Sequence, residues 1–249
     1  MGQDWKPNKA LSLDLFLEVL RRVEVRIAEA DTLEDKNRWV VAHTYFVISY
    51  VVSLRGPEGL LLDLEATNYF WDTNLHDNEF GDYIYICLRG QVKGEHNIRC
   101  HLLPAVSVTQ SGIKVMESLN RLRILKAGQG FTDGPGISST DGAVLSSMAL
   151  NDCLIEILSE IFDEDRSLFP NTIKHEEMLK ENYQVYRSLR RTSDTIALEN
   201  KVKAEDIDLV NRWSEVERAK GRRPNRPMKY HYADVTLLIK PFLPYTHAH

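Results

Sequence analysis

Cysteine is scarce in this chain: Cys87, Cys100 and Cys153 are the only three among 249 residues. They show no paired spacing, so they suggest neither a zinc site nor a disulfide framework, and an odd, sparse set fits a reducing compartment. The opening MGQDWKPNKA lacks the apolar run of a signal peptide. No hydrophobic stretch is long enough to span a bilayer comfortably. The longest, Trp39–Leu54, is interrupted by His43, Thr44, Ser49 and Ser53 and reads as a buried helix. No GK[ST] accompanies the glycines of Gly128–Gly142, which therefore read as a connector and not a phosphate loop. Internal repeats and low-complexity segments are missing as well. These absences lead us to expect a soluble chain without membrane span, metal or cofactor.

What is present is ordinary globular material, with 43% hydrophobic and 27% charged residues. We expect one domain over 1–249, with 1–9 a linker or disordered start and 233–249 a C-terminal helix and tail. The net charge of −5 weighs against a general nucleic-acid coat protein, but the placement of charge matters more than its sum. Acid dominates Asp152–Asp165, whereas RAKGRRPNRPMK, Arg218–Lys229, holds six basic side chains and no acidic one. Apolar periodicity predicts helices over Ala10–Ala30 (Ser12 as N-cap), Asn37–Leu54, Val108–Leu125, Ala143–Phe162, His175–Arg191, Ala204–Arg218 and Tyr232–Lys240. Leu145, Met148, Leu154, Ile155, Leu158 and Ile161 are the expected core face of the fourth. Tyr83–Leu88 and Ile98–Leu103 read as strands joined by a hairpin carrying Lys93. The fold class is mainly α with a small antiparallel β-sheet (α+β).

The densest chemistry lies in Tyr186–Val235, where YRSLRRTSDT is followed by Trp213, the basic run and YHYADV. Grouped arginines suit phosphate oxygens, because the planar guanidinium stays charged and binds bidentately. A tyrosine hydroxyl placed after them is a candidate nucleophile toward phosphorus. Metal-free cleavage of a phosphodiester also needs an acid for the leaving 5′ oxygen. A lysine whose pKa is lowered by neighbouring cations can supply it.

The order of these candidates resembles the catalytic domain of the tyrosine recombinases, the phage integrase-like site-specific recombinases. SLRGPEGLLLDL matches the family's first motif with Arg55 and, three residues on, Glu58. RGQVKGEHNIRCHLLP matches its hairpin lysine with Lys93 and ends in Pro104. RSLRRTSDT matches its HxLRHTxAT motif and places the second arginine at Arg190, next to Arg191. VNRWSEV supplies Trp213 in the family's His/Trp position, and YADV supplies Tyr232 as nucleophile, with Tyr230 as the alternative.

The resemblance covers nearly the whole chain and implies the DNA breaking-rejoining catalytic fold. It implies DNA cutting and rejoining through a 3′-phosphotyrosyl intermediate at Tyr232, without metal or ATP. Arg55, Arg187 and Arg190 would hold the phosphate with Trp213, Lys93 would protonate the leaving oxygen, and Glu58 would orient Arg55. The partner would be double-stranded DNA, bound by a homo-oligomer, a tetramer on paired sites. The location would be intracellular and DNA-associated, in nucleoid or nucleus. Arg218, Lys220, Arg222, Arg223, Arg226, Lys229 and Arg99 are the candidate DNA contacts, and the apolar segment after Tyr232 is a candidate protomer contact. His247 and His249 read as part of a disordered tail.

The chain departs from the family in three places. Arg187 stands where the family has His or Lys, and an arginine cannot accept a proton. Trp213 and Tyr232 lie nineteen positions apart, farther than is usual, which implies an inserted basic loop. The family's N-terminal core-binding domain has no counterpart here. The rivals are a type IB topoisomerase, a non-catalytic DNA-binding relic of a mobile element, and a helical interaction protein without a DNA role.

Overall fold

Seventeen residues, Leu13–Glu29, form the first helix, α1, because Leu15, Phe16, Val19, Leu20 and Val23 recur on one face that the fold buries. Ser12 caps it as expected, its Oγ accepting the Leu15 N–H at 3.2 Å. The computed structural model describes residues 9–65, 75–90, 99–211 and 242–249. The next helix, α2 (Leu33–Val51), is capped by Thr32 and buried all round from Trp39 to Val51. A helix that is apolar on every face must sit inside a protein or a membrane. Here α1 packs on α2, as do α4 (Val115–Gly128), α5 (Ser147–Glu164) and α7 (Val185–Glu199). No helix among the described residues is long and apolar enough to cross a membrane. Two of the buried polar groups of α2 are tied to other elements: His43 Nδ1 lies 2.9 Å from Ser118 Oγ, and Asn37 donates to the Ser138 carbonyl at 3.1 Å.

After α2 come a one-turn helix, α3 (Gly56–Gly59), and a three-stranded antiparallel sheet in the order β1 (Leu75–Asp77), β2 (Gly81–Gly90), β3 (Arg99–Val106). The class is therefore mostly helical with a small antiparallel sheet, in line with the sequence. Both expected strands are present and longer, in a register that opposes Leu88 with His101 and Tyr85 with Pro104. Proline has no N–H for a ladder, and it sits on β3, an edge of the described sheet. Cys87 of β2 is disulfide-bonded while Cys153 is free and buried. The expectation of no disulfide framework gave no sign of this bond, because the cysteines show no paired spacing.

Residues 129–146 run back from α4 to α5 and include the glycine-rich connector. Lys126 anchors it from inside: fully buried, its Nζ donates to Asn37 Oδ1 (2.8 Å), Ser138 O (2.7 Å) and Ser139 O (3.0 Å). Burial pulls the Lys126 pKa down to about 8. On α5, Leu150, Leu154, Ile157, Leu158 and Ile161 face the core, whereas Met148 is 72% exposed and Leu145 only half-buried. The expected core role of Met148 fails because α5 begins at Ser147, leaving it in the solvent-facing first turn.

The helix expected over His175–Arg191 is two, α6 (Glu177–Asn182) and α7, parted by extended Tyr183 and Gln184. The break lets the Tyr183 ring, fully buried, reach Phe169 at 6.3 Å between centroids. It also starts α7 afresh, with Ser188 Oγ accepting the Gln184 N–H at 3.1 Å. The helix α8 (Ala204–Val210) follows, and a final one, α9, spans 242–247. The expected continuation to Arg218 and the expected helix Tyr232–Lys240 lie outside the described residues.

Candidate functional site

Arg55 is positioned by the way α2 ends. Leu54 N–H donates to Ser49 O (3.0 Å) and Ser53 N–H to Tyr50 O (3.3 Å), a Schellman reversal. Its left-handed position, normally glycine's, is taken by Ser53 at φ 50°. The chain then turns outward with Arg55 extended at the N-cap of α3. Glu58, 3% exposed, closes the turn: its Oε2 accepts the Arg55 backbone N–H at 2.9 Å, and its Oε1 lies 3.5 Å from Arg55 Nη1. The glutamate therefore fixes both the main chain and the guanidinium of Arg55, as a residue aimed at an anion requires. Tyr45 Oη donates to Gly56 O at 2.7 Å and pins the same turn from α2.

Arg190 comes from α7, which reaches this turn because Gly56 has no side chain. A Cβ on Gly56 would stand 2.0 Å from Tyr186 Cβ. Nη1 of Arg190 donates to the carbonyl of Ser53 (3.3 Å), 137 positions earlier, and Nη2 to that of Asn211 (3.1 Å). Burial and then the nearby charge of Arg55 lower its pKa, opposed by Asp194 and Glu58. Two cations held against their mutual repulsion make a place for an anion. Arg187 and Arg191 are exposed on the same helix, Arg187 with its guanidinium 5.7 Å from the Tyr186 ring centre.

Beneath the pair lies a buried polar network to which the sequence reading assigned no role. Asp194 Oδ1 accepts from Ser53 Oγ (3.1 Å), Asn211 Nδ2 (2.7 Å) and Tyr245 Oη (2.9 Å). Ser53 Oγ is shared, lying 2.6 Å from Asn211 Oδ1. Burial raises the Tyr245 pKa, so its hydroxyl keeps its proton and gives it to Asp194. Tyr245 must then accept from Ser193 Oγ at 2.7 Å, and Ser193 from His249 Nε2 at 2.7 Å. This order places the imidazole proton on Nε2. Burial pulls the pKa of His249 down to about 3.

The disordered-tail reading of His247 and His249 is thus corrected. His249 is 1% exposed, its ring 4.7 Å from that of Tyr50, and His247 is half-buried against Phe80 at 5.5 Å. Residues 242–249 bury Phe242, Leu243 and Tyr245 against their own chain. Sequence reasoning missed this because alternating aromatic and histidine side chains carry no burial signature. Of the network, only Asp194 had a readable cue, its position one helical turn after Arg190.

Of the other candidates, Lys93, Trp213, Tyr232 and the alternative Tyr230 lie outside the described residues, as do Arg218, Lys220, Arg222, Arg223, Arg226 and Lys229. Arg99 opens β3, and its side chain is likewise outside the described set. The structure brings together Arg55, Glu58 and Arg190, with Arg187 and Arg191 on the same helix. Among the described residues, no three His, Cys, Asp or Glu side chains are grouped to hold a metal ion. A cavity of about 230 Å³, lined by Asn37, Arg38, Ser139, Leu150 and Cys153, lies by the N-terminal half of α2, whereas Arg55 follows its C-terminus. No known protein family matches the chain, and no curated protein is significantly similar to it.

Proposed function

We propose that the chain is a tyrosine-recombinase-type DNA strand transferase, built on the DNA breaking-rejoining catalytic fold and acting on double-stranded DNA. The observation that supports this reading is the meeting of Arg55 and Arg190, with Glu58 locked under the first and backbone carbonyls of residues 53 and 211 under the second. A pair of forked cations held this way suits the two non-bridging oxygens of a phosphodiester. In the proposed reaction, Tyr232 Oη gives up its proton to water and attacks phosphorus in line, forming the phosphotyrosyl bond as the bond to the 5′ oxygen breaks. Lys93 gives its proton to that oxygen, and Arg187 and Trp213 add donors to the phosphate. Attack by a 5′ hydroxyl from another strand reverses the step, so the bond energy is conserved and no ATP is consumed. The basic residues Arg218–Lys229 and Arg99 would track the backbone, and a tetramer would pair two duplexes.

The test is incubation with nicked suicide duplexes from the chain's own genetic element. A covalent protein–DNA adduct is expected, abolished by Tyr232→Phe and kept by Tyr230→Phe. Arg190→Ala should slow adduct formation by about 10²- to 10³-fold, the usual effect of removing a transition-state donor. Adduct formation that survives Tyr232→Phe would overturn the assignment of the nucleophile. Arg187, which cannot act as a base, supports a second reading, a DNA-binding relic. It predicts salt-sensitive binding with no adduct at all. Sequence-independent relaxation of supercoiled plasmid would point instead to the type IB topoisomerase class.

A further inference from the structure

We propose that Asp194 is a positioning residue for this anion site, acting on Arg190 through Ser53 and Asn211. The inference rests on the reading of Arg55 and Arg190 as a phosphate-binding pair. Arg190 is held by two main-chain carbonyls, Ser53 O and Asn211 O, from segments far apart in sequence. The side chains of those same two residues converge on one oxygen, Asp194 Oδ1, with Tyr245 Oη as a third donor. Asp194 thus gathers both carbonyl-bearing residues around the helix that carries Arg190 and fixes how far the guanidinium stands from Arg55. Ser53 connects both halves of the site, since it lies two residues before Arg55 in the strained reversal.

Two full donors, Asn211 Nδ2 and Tyr245 Oη, together with a serine hydroxyl shared with Asn211 Oδ1, crowd a single oxygen and suit the charge of a carboxylate. An amide oxygen is neutral and makes weaker bonds than a carboxylate oxygen, so Asp194→Asn should loosen the cluster while keeping the shape. Tyr245→Phe removes one donor outright and leaves the other two. Neither substitution touches the arginines.

The full chain labelled with ¹⁵N would be observed at the arginine Nε–Hε resonances, first free and then titrated with inorganic phosphate. In the wild type, Arg190 Nε should be rigid on the picosecond to nanosecond scale, and phosphate should shift both Arg55 and Arg190. In Asp194→Asn, Arg190 should become mobile and phosphate affinity should fall about tenfold, as when groups orienting a ligating residue are lost elsewhere. Tyr245→Phe should move both readouts in the same direction by less. The proposal is overturned if Arg190 stays as rigid as in the wild type in both folded variants, or if the wild type binds phosphate and both variants bind it equally well. If the wild type binds no phosphate while Arg190 still loosens on substitution, the strand-transferase reading fails and the positioning role of Asp194 stands. Should Asp194→Asn fail to fold, Tyr245→Phe alone decides.

Discussion

His43 and His249 are single residues whose burial sets how the whole chain responds to acid. Both pKa values are pulled down to about 3 from an ordinary 6.5, in each case mainly by burial. The positive charge of Arg121 adds to the effect at His43, against Glu117. Glu24 Oε1 lies only 3.6 Å from His43 Nε2, yet more than half of that glutamate side chain is exposed, and it does not keep the ring charged. The folded pKa values are depressed, so the unfolded chain takes up protons first. The stabilisation is fully present above pH 6.5 and is lost as the pH falls toward 3. Between pH 6.5 and 5 each histidine should remove about 1.5–2 kcal/mol of folding stability. Urea melts at the two pH values would measure this, and His43→Gln should cut the pH dependence roughly in half. A slope unchanged by that substitution would mean His43 is not buried neutral. The same scale shows what one side chain hides from its sequence. Arg55 and Glu58 are legible because their partnership is local, three residues apart. Ser53 is not, because no glycine marks its left-handed turn and its bond to Asp194 spans 141 positions.

At the scale of elements, the join between α3 and α7 decides whether the two arginines meet. Gly56 allows it by having no Cβ; an added methyl would sit 2.0 Å from Tyr186 Cβ and 3.0 Å from its Cα, neither of them a flexible tip. Gly56→Ala should therefore cost about 1–3 kcal/mol through overpacking and push Arg55 away from Arg190. Phosphate binding should weaken with it. Gly128→Ala is the control: a Cβ there meets nothing within 4 Å, and in the last turn of α4 alanine should be neutral or stabilising by up to about 1 kcal/mol. Chemical denaturation of both variants checks the contrast, and equal effects would refute the close-approach argument. Elements like these were mostly legible in advance. The cap Ser12, the apolar stripe of α1, the long apolar run of α2 and the aromatic, β-branched strand β2 each carry a local signal, whereas Thr32, which starts α2 ahead of the expected Asn37, was not singled out. The break at Tyr183 and Gln184 was not legible, since it answers to where Phe169 stands and not to any helix-stopping residue. The meeting of Arg55 with Arg190 could be anticipated only from motif order, never from periodicity.

The whole molecule is closed by its last described segment. Residues 242–249 connect α7, β3 and the loop after it: Asn200 Nδ2 donates to Ala248 O (2.7 Å), Val106 N–H to Thr246 Oγ1 (3.2 Å) and Gln110 N–H to His247 O (2.8 Å). Phe242, Leu243 and Tyr245 are 3%, 1% and 0% exposed. Burying three such side chains stabilises by about 1.5–3 kcal/mol each, a sum comparable with the roughly 5–15 kcal/mol that holds a typical domain together. A chain ended at residue 241 should therefore lose its cooperative unfolding transition, instead of behaving as a folded body short of a tail. Circular dichroism during thermal unfolding would show it. The same geometry separates a segment folded in cis from one lent to a neighbour. Contacts made within one chain give a melting temperature independent of protein concentration, whereas an exchanged segment makes it rise with concentration by mass action. The 249-residue chain should melt at the same temperature over a hundredfold dilution. A rise with concentration would return these residues to the protomer-contact role that their apolar sequence first suggested, and Asp194 would then bond to a tyrosine of the neighbouring molecule.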